Sequence, residues 1–235
     1  MSRVARYLEQ AGLELSAASL QQAVTVLEAA LAQPAAPRSE DELYSYRVPK
    51  LGEGGSCSLV DELEEQPYEL SPWLGGRSAE AGKTLRQLDA LVQAALRLVV
   101  ADWLGVYCRF QRHGEARLVK LAYRGLPSRA EFPLTEDFAL FSNNSRVGLR
   151  GKAAVIADVQ AWQQSGGAYY ECDPKVQSEV CLPVLDADGR VLGILDAEDA
   201  RAGFFDEYKQ TVLAALALAL AEPFARLAAN PVENF

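Results

Sequence analysis

One histidine, one methionine and four cysteines in 235 residues leave little material for several kinds of chemistry. With His113 as the single imidazole, a histidine-dependent serine or cysteine triad and a multi-histidine zinc site are excluded. His113 itself reads as a solvated turn residue, and no metal site is expected. None of Cys57, Cys108, Cys172 and Cys181 belongs to a Cys-x-x-Cys pair, so the spacing specifies neither a disulfide scaffold nor a paired-thiol redox motif. Reduced thiols are the expectation. Positive charge is also scarce: 23 Lys and Arg against 32 Asp and Glu give a net charge of −9. That balance repels a phosphate backbone and no basic cluster reverses it locally, so nucleic acid is not an expected partner. No bilayer-spanning run is visible, so no membrane partner is expected. Residues 1–13, with Glu9 among them, do not read as a secretory leader, and the cytosol is the expected compartment. The stretch 76–84 ends in Gly82-Lys83-Thr84, but Gly76 lies one residue too far upstream for a phosphate loop and no strand precedes it. Residues 52–55 lack the strand-to-helix setting as well and read as loop.

What is present is the composition of an ordinary globular protein, 49% apolar and 23% charged, enough to bury a core without staples. Residues 3–33 carry Val4, Leu8, Leu13, Leu15, Leu20, Val24, Leu27 and Leu31 at helical spacing, with Ser16 a cap before a second segment and Pro34 and Pro37 as stops. From 35 to 77 the pattern dissolves, apart from a short helix expected near 59–65; this stretch is either a linker or an irregular cover. A helix is expected over 78–101, from the apolar face made by Leu85, Leu88, Leu91, Val92, Ala95, Leu96, Val99 and Val100. The period then changes to that of strands. Segments 103–111 and 117–124 form a hairpin about a turn at 112–115, a third strand runs over 154–157, and a second hairpin joins 178–186 to 191–198 through Asp188-Gly189. The strands of this second hairpin are expected to be central. A long Ala/Leu-rich helix follows Asp206 to about 228. Helix, five or six mostly antiparallel strands and a closing helix make an α+β fold, with residues 1–77 as a helical segment and irregular linker and 78–228 as the folded domain. The apolar faces of the terminal helices fit a homodimer, a partner protein docked on the N-terminal helices, or one packed core.

The informative residues lie on the strands. Trp103 and Tyr107 are four apart and share a face. Glu179 and Cys181 share a face of one strand, as do Asp196 and Glu198 on its partner. Acidic residues in a buried strand are costly unless paired, so three converging across one hairpin suggest a cavity that receives a cation, most naturally an amino group. The alternative is that Asp196 and Glu198 reach solvent beyond the strand end. Cys172 lies in a polar loop just before Glu179; it is either a reactive thiol or an inert buried one, with Glu171 and Asp173 opposing thiolate formation.

At these residues the sequence resembles the free methionine-(R)-sulfoxide reductases, single-domain enzymes of the GAF (PAS-like) fold. The likeness covers about 83–224 and is carried by Asp102-Trp103-Leu104-Gly105-Val106-Tyr107, Cys172-Asp173, Ser178-Glu179-Val180, 191–196 and Phe205-Asp206-Glu207. The resemblance implies Cys172 as nucleophile, Trp103 and Tyr107 walling the pocket, and Asp173, Glu179, Asp196 and Glu198 holding the substrate. It implies no bound cofactor, an external thiol reductant, and a small sulfoxide amino acid as substrate. The sequence departs from that family in the loop 126–130 and the turn 147–151, where the family has cysteines and this chain has none. Cys181 or Cys108, both expected near the pocket, are candidate resolving thiols. The alternative is a sensory or regulatory GAF domain that binds a small molecule without turnover.

Overall fold

The computed structural model describes residues 1–33, 36, 38–51, 62–170 and 173–228. Two capped helices open the chain, α1 (Arg3–Ala11) and α2 (Ala17–Leu31). The Ser2 and Ser16 side chains accept from backbone N–H groups in the first turns, satisfying donors that have no intrahelical partner. Pro34 and Pro37 lie outside the described residues. After α3 (Glu40–Tyr44) come two short strands far apart in sequence, β1 (Ser45–Tyr46) and β2 (Tyr68–Glu69), which pair antiparallel. The helix expected over 59–65 is absent from its described part: Leu63 instead bridges antiparallel to Pro49, and residues 59–61 lie outside the described set. Residues 52–55 and Cys57 lie outside it too.

Helix α4 (Ala79–Val99) is capped by Ser78 and ends at Val100, which takes a left-handed φ of 56°. The strands follow: β3 (Trp103–Arg112), β4 (Glu115–Arg124) and β5 (Glu131–Pro133). Then come helices α5 (Glu136–Ala139) and α6 (Asn143–Arg150), strand β6 (Ala154–Ile156) and helix α7 (Val159–Gln164). Strands β7 (Ser178–Leu185) and β8 (Val191–Asp199) lead to α8 (Glu207–Ala228). The order across the main sheet is β5-β4-β3-β8-β7-β6, antiparallel throughout, so β3 and β8 are its centre. The first hairpin turns on two residues rather than the expected four, His113 (φ 51°) and Gly114 (φ 80°), which is the backbone a tight hairpin needs. His113 is exposed there.

Alternation along the strands divides the interior in two. Leu104, Val106, Cys108, Val180, Leu182, Val184, Leu195 and Ala197 face a helical layer that contributes Leu20, Leu27, Leu88, Val92, Leu213, Leu216 and Phe224. By composition alone α8 is long and apolar enough to cross a membrane, but 67% of its apolar window is buried inside the fold, so here it is a core helix. The N-terminal helices join the same layer: the Tyr7 hydroxyl donates to the Pro183 carbonyl at 3.0 Å, and Arg3 donates to Leu218 O at 2.7 Å. The opposite face carries Trp103, Tyr107, Leu118, Tyr123, Phe132, Cys181 and Ile194. A bulge in β4 keeps it continuous: Val106 pairs with Ala122 and Tyr107 with Lys120, so Leu121 is the extra residue, and Lys120 and Tyr123 stay on one face although three apart.

Candidate functional site

Two cross-strand rows at the centre of this second face hold the acidic residues. Glu179 pairs with Glu198, which pairs with Trp103; Cys181 pairs with Asp196, which pairs with Gly105. Glu179 and Asp196 are buried at 4% and 2% exposure, so they do not escape to solvent beyond the strand end; Glu198 is half-buried. Gly105 is glycine for a steric reason. The Trp103 indole lies over it, and a Cβ at position 105 would stand 2.2 Å from Cη2 of that ring.

The residues that answer these carboxylates come from α6, whose first turn lies above the sheet. Asn143 Nδ2 donates to Glu179 Oε1 at 3.1 Å and Asn144 Nδ2 to Asp196 Oδ2 at 3.0 Å. Ser142 caps the helix and Ser145 Oγ donates to the Pro133 carbonyl at 2.8 Å, which fixes the turn against the sheet edge. Arg146 donates to Asn143 Oδ1, and the Tyr169 hydroxyl hydrogen-bonds Glu179. Even so, the site is not fully satisfied. Among the described residues Asp196 Oδ1 and Asn144 Oδ1 are buried acceptors without a hydrogen-bond partner, and such atoms are costly to bury.

Electrostatics follow from this crowding. Burial, then the charges of Glu179 and Glu198, hold the Asp196 carboxyl well above the usual carboxylate range. Burial also raises Glu179, against the opposing effect of its bonds to Tyr169 and Asn143 and of nearby Arg146. Both shifts disfavour the charged forms, and a bound cation would favour them again. Among the described residues no three His, Cys, Asp or Glu side chains are placed to share a metal ion.

Around the carboxylates are two adjoining cavities. The inner one, about 20 Å³, is lined by Tyr107, Arg129, Phe132, Asn143, Asn144, Tyr170, Glu179 and Asp196; that is room for about one water. The outer one, about 400 Å³, is lined by Asp102, Gly125, Leu126, Asp173, Lys175 and Val176 among others, a size at which small-molecule pockets begin. Trp103, Ser128 and Glu198 line both, so they form the partition between them.

The loop 125–130 is tied down from below by Lys120, a fully buried cation. Its Nζ donates to Ser128 O and Ser128 Oγ, each at 2.7 Å, and lies 4.2 Å from the centre of the Tyr123 ring and 5.8 Å from that of Trp103. Trp103 Nε1 donates to the Leu126 carbonyl at 3.1 Å, and the Tyr107 hydroxyl to the Arg129 carbonyl at 3.3 Å. Arg129 lies between Phe138, 4.9 Å from its guanidinium carbon, and Tyr170, whose hydroxyl accepts from Nη1 at 2.8 Å.

Of the residues singled out from sequence, the structure brings Trp103, Tyr107, Glu179, Cys181, Asp196 and Glu198 onto one face, and it places Asp173 on the outer cavity. Cys172 lies outside the described residues. Cys108 is a correction: it packs in the helical layer, with its thiol near the Leu192 carbonyl, so the sheet separates it from both cavities. The parity of β3 decides this, since Cys108 is an odd number of residues from Trp103. Cys181 is on the correct face but fully buried, and burial together with Asp196 and Glu179 pushes its thiol well above the ordinary range. Sequence reading missed Asn143, Asn144, Lys120, Arg129, Tyr169 and Tyr170. The one available signal was Ser142, a helix cap followed at once by two side-chain amides.

Comparison with known proteins agrees with this architecture. A curated relative, Protein YtsP of Bacillus subtilis (strain 168), is 28% identical over 125 residues, covering 53% of this chain and 69% of that protein. The structure of a type II free methionine-R-sulfoxide reductase from Thermoplasma acidophilum aligns with a TM-score of 0.53 at 22% identity, over 63% of this chain and 97% of that one. That of the free methionine-R-sulfoxide reductase from Neisseria meningitidis in complex with its substrate aligns with a TM-score of 0.50 at 22% identity, over 66% and 84%. At such identities the likeness establishes the fold. The GAF domain family model matches residues 86–222, more than half of the 235 residues, and the chain belongs to the GAF domain family.

Proposed function

We propose that this GAF domain binds a small ligand bearing an ammonium group, of the amino-acid kind, with the ammonium on Glu179, Asp196 and Glu198. The observation that carries this reading is the Asp196 Oδ1 atom, buried without a hydrogen-bond partner among the described residues, beside a second carboxylate across the strand pair, in a small cavity. Buried like charges without a cation are unfavourable, and an ammonium supplies both the countercharge and the missing donors. The ligand's side chain would extend past Trp103 into the outer cavity. Calorimetric titration with L-methionine-(R)-sulfoxide and with L-methionine tests this. Binding that releases protons and is lost in Asp196→Asn supports it; no binding of either, or unchanged binding in the variant, rejects it.

A second reading adds catalysis: reduction of the bound sulfoxide at Cys172. It is favoured by the positions of that residue's neighbours in sequence, since Tyr170 lines the inner cavity and Asp173 the outer one. The Cys172 thiolate would attack the sulfoxide sulfur; with proton uptake the oxygen passes to the cysteine as sulfenic acid and the free thioether leaves. One external thiol then forms a mixed disulfide with loss of water, and a second regenerates the cysteine while the external pair becomes a disulfide. The buried Cys181 thiol and the position of Cys108 argue for such an external thiol, in the cytosol, rather than for either of these two as an internal resolver. Release of L-methionine with dithiothreitol, abolished in Cys172→Ser, supports catalysis. Binding without turnover leaves a sensory GAF domain.

A further inference from the structure

The inner cavity is not acidic on every side. Glu179 and Asp196 form its sheet side, and Arg129, a buried residue at 9% exposure, lines the same space. We infer that Arg129 is the residue that selects for a carboxylate on the ligand, so that the cavity reads a zwitterion: ammonium on the Glu179–Asp196 side, carboxylate on the guanidinium. The inference rests on the ammonium reading above and adds to it a second, oppositely charged point of recognition.

Three features of the structure support it. First, the guanidinium is held in a defined plane. Its Nε donates to the Glu131 carbonyl at 2.5 Å and its Nη1 to the Tyr170 hydroxyl at 2.8 Å, while aromatic rings flank it with Phe138 at 4.9 Å and Phe132 at 5.4 Å. Such a guanidinium is already oriented to present its forked donors, so little side-chain entropy remains to be lost when an acceptor arrives.

Second, the acceptor that Nη1 meets, the Tyr170 hydroxyl, is neutral and belongs to a half-buried side chain. A carboxylate oxygen in the same place would accept the same N–H through a charge-assisted bond, which is the stronger kind. The exchange of Tyr170 for ligand also answers the size of the cavity, which at about 20 Å³ has no room for a carboxylate until a lining side chain withdraws.

Third, the segment carrying Arg129 is anchored independently of the guanidinium. The Tyr107 hydroxyl donates to the Arg129 carbonyl at 3.3 Å, Lys120 N to the Ala130 carbonyl at 2.8 Å, and Lys120 Nζ to Ser128. These bonds do not involve the guanidinium and survive its removal, so a change of ligand preference can be separated from collapse of the wall.

The test compares three ligands that differ only at one end: L-methionine-(R)-sulfoxide, its primary amide, and 3-(methylsulfinyl)propylamine, which has no carboxyl carbon. Affinities for wild type are read by calorimetry at pH 7.5. The zwitterion is expected to bind roughly 10- to 100-fold tighter than the amine or the amide, the range a hydrogen bond to a charged group supplies. Arg129→Met is expected to remove that preference while leaving the amine's affinity within about twofold, and Arg129→Lys to restore part of it. Equal affinities of wild type for zwitterion and amine would overturn the role of Arg129 and leave the ammonium site standing. Binding of none of the three would overturn both. The wild-type comparison decides even if Arg129→Met does not fold; if it folds, a preference that persists in it also overturns the inference.

Discussion

Asp196→Asn removes one carboxyl from the pair that folding forces together, and its effect on stability has a definite sign. Burial and the neighbouring carboxylates raise Asp196 well above its ordinary value, and burial raises Glu179. A carboxyl raised on folding keeps its proton in the folded state over a range where the unfolded chain, with values near 4, has already lost it. The folded protein then binds more protons than the unfolded one, so stability falls as pH rises from about 4, and levels off only when the buried carboxyls ionise. The slope is about 1.4 kcal/mol per pH unit for each group that holds its proton. The asparagine variant lacks one such group, so between pH 4 and pH 6 its stability relative to wild type should rise by roughly 1–3 kcal/mol. For a chain of this size that corresponds to a relative shift in Tm of roughly 3–10 °C. Urea unfolding followed by far-UV circular dichroism at half-unit steps from pH 4 to pH 8 measures both curves. Parallel curves would refute the reasoning, as would a variant that loses ground to wild type as pH rises. Saturating L-methionine-(R)-sulfoxide should flatten or reverse the contrast: it stabilises wild type most at high pH, where the carboxylates are charged, and leaves the variant unmoved.

Gly105→Ala places a methyl 2.2 Å from the Trp103 ring. The indole must move, at a cost of roughly 1–3 kcal/mol; a changed near-UV dichroism signal with weaker ligand binding is expected, and unchanged binding would count against Trp103 as the partition. Val100 caps α4 at a φ of 56° and is exposed, a conformation that a β-branched residue adopts only with strain. Val100→Gly should therefore stabilise the protein by about 1 kcal/mol, read as a higher urea midpoint at unchanged slope. In native protein at pH 8, iodoacetamide should leave Cys108 and Cys181 unmodified, since both thiols are buried and shifted upward; mass spectrometry showing rapid native labelling of either would contradict their placement.

Much of this architecture was legible because local signals agreed with one another. Ser16 and Ser78 stand where caps belong, the apolar residues of α4 recur at helical spacing, and the strand hairpins have turn residues that suit them. Period-two alternation then places Glu179, Cys181, Asp196 and Glu198 together without any knowledge of topology. What could not be read depends on contacts distant in sequence. Asn143 and Asn144 sit in an eight-residue helix whose place above the sheet is set by Ser145 reaching Pro133 and by side-chain packing, and nothing in a polar octapeptide announces that. Strands β1 and β2 are two residues each and 22 positions apart between Tyr46 and Tyr68, too short for any period. Lys120 and Tyr123 defeat simple alternation because the extra residue Leu121 lies between them. Arg129 stands in a loop without periodicity, and its burial among aromatic rings is a tertiary fact.

Gly105 separates two histories that a single domain usually shares. Any substitution that replaces glycine by another residue adds a Cβ, and at position 105 that atom meets the Trp103 ring. The apolar layer on the far side of the sheet, with Leu104 and Val106 of the same strand, does not depend on that space. Recognition can thus disappear in one mutational step while the scaffold persists. Descendants of such a chain could remain well-folded GAF domains that no longer bind this ligand, so fold membership and ligand are inherited separately.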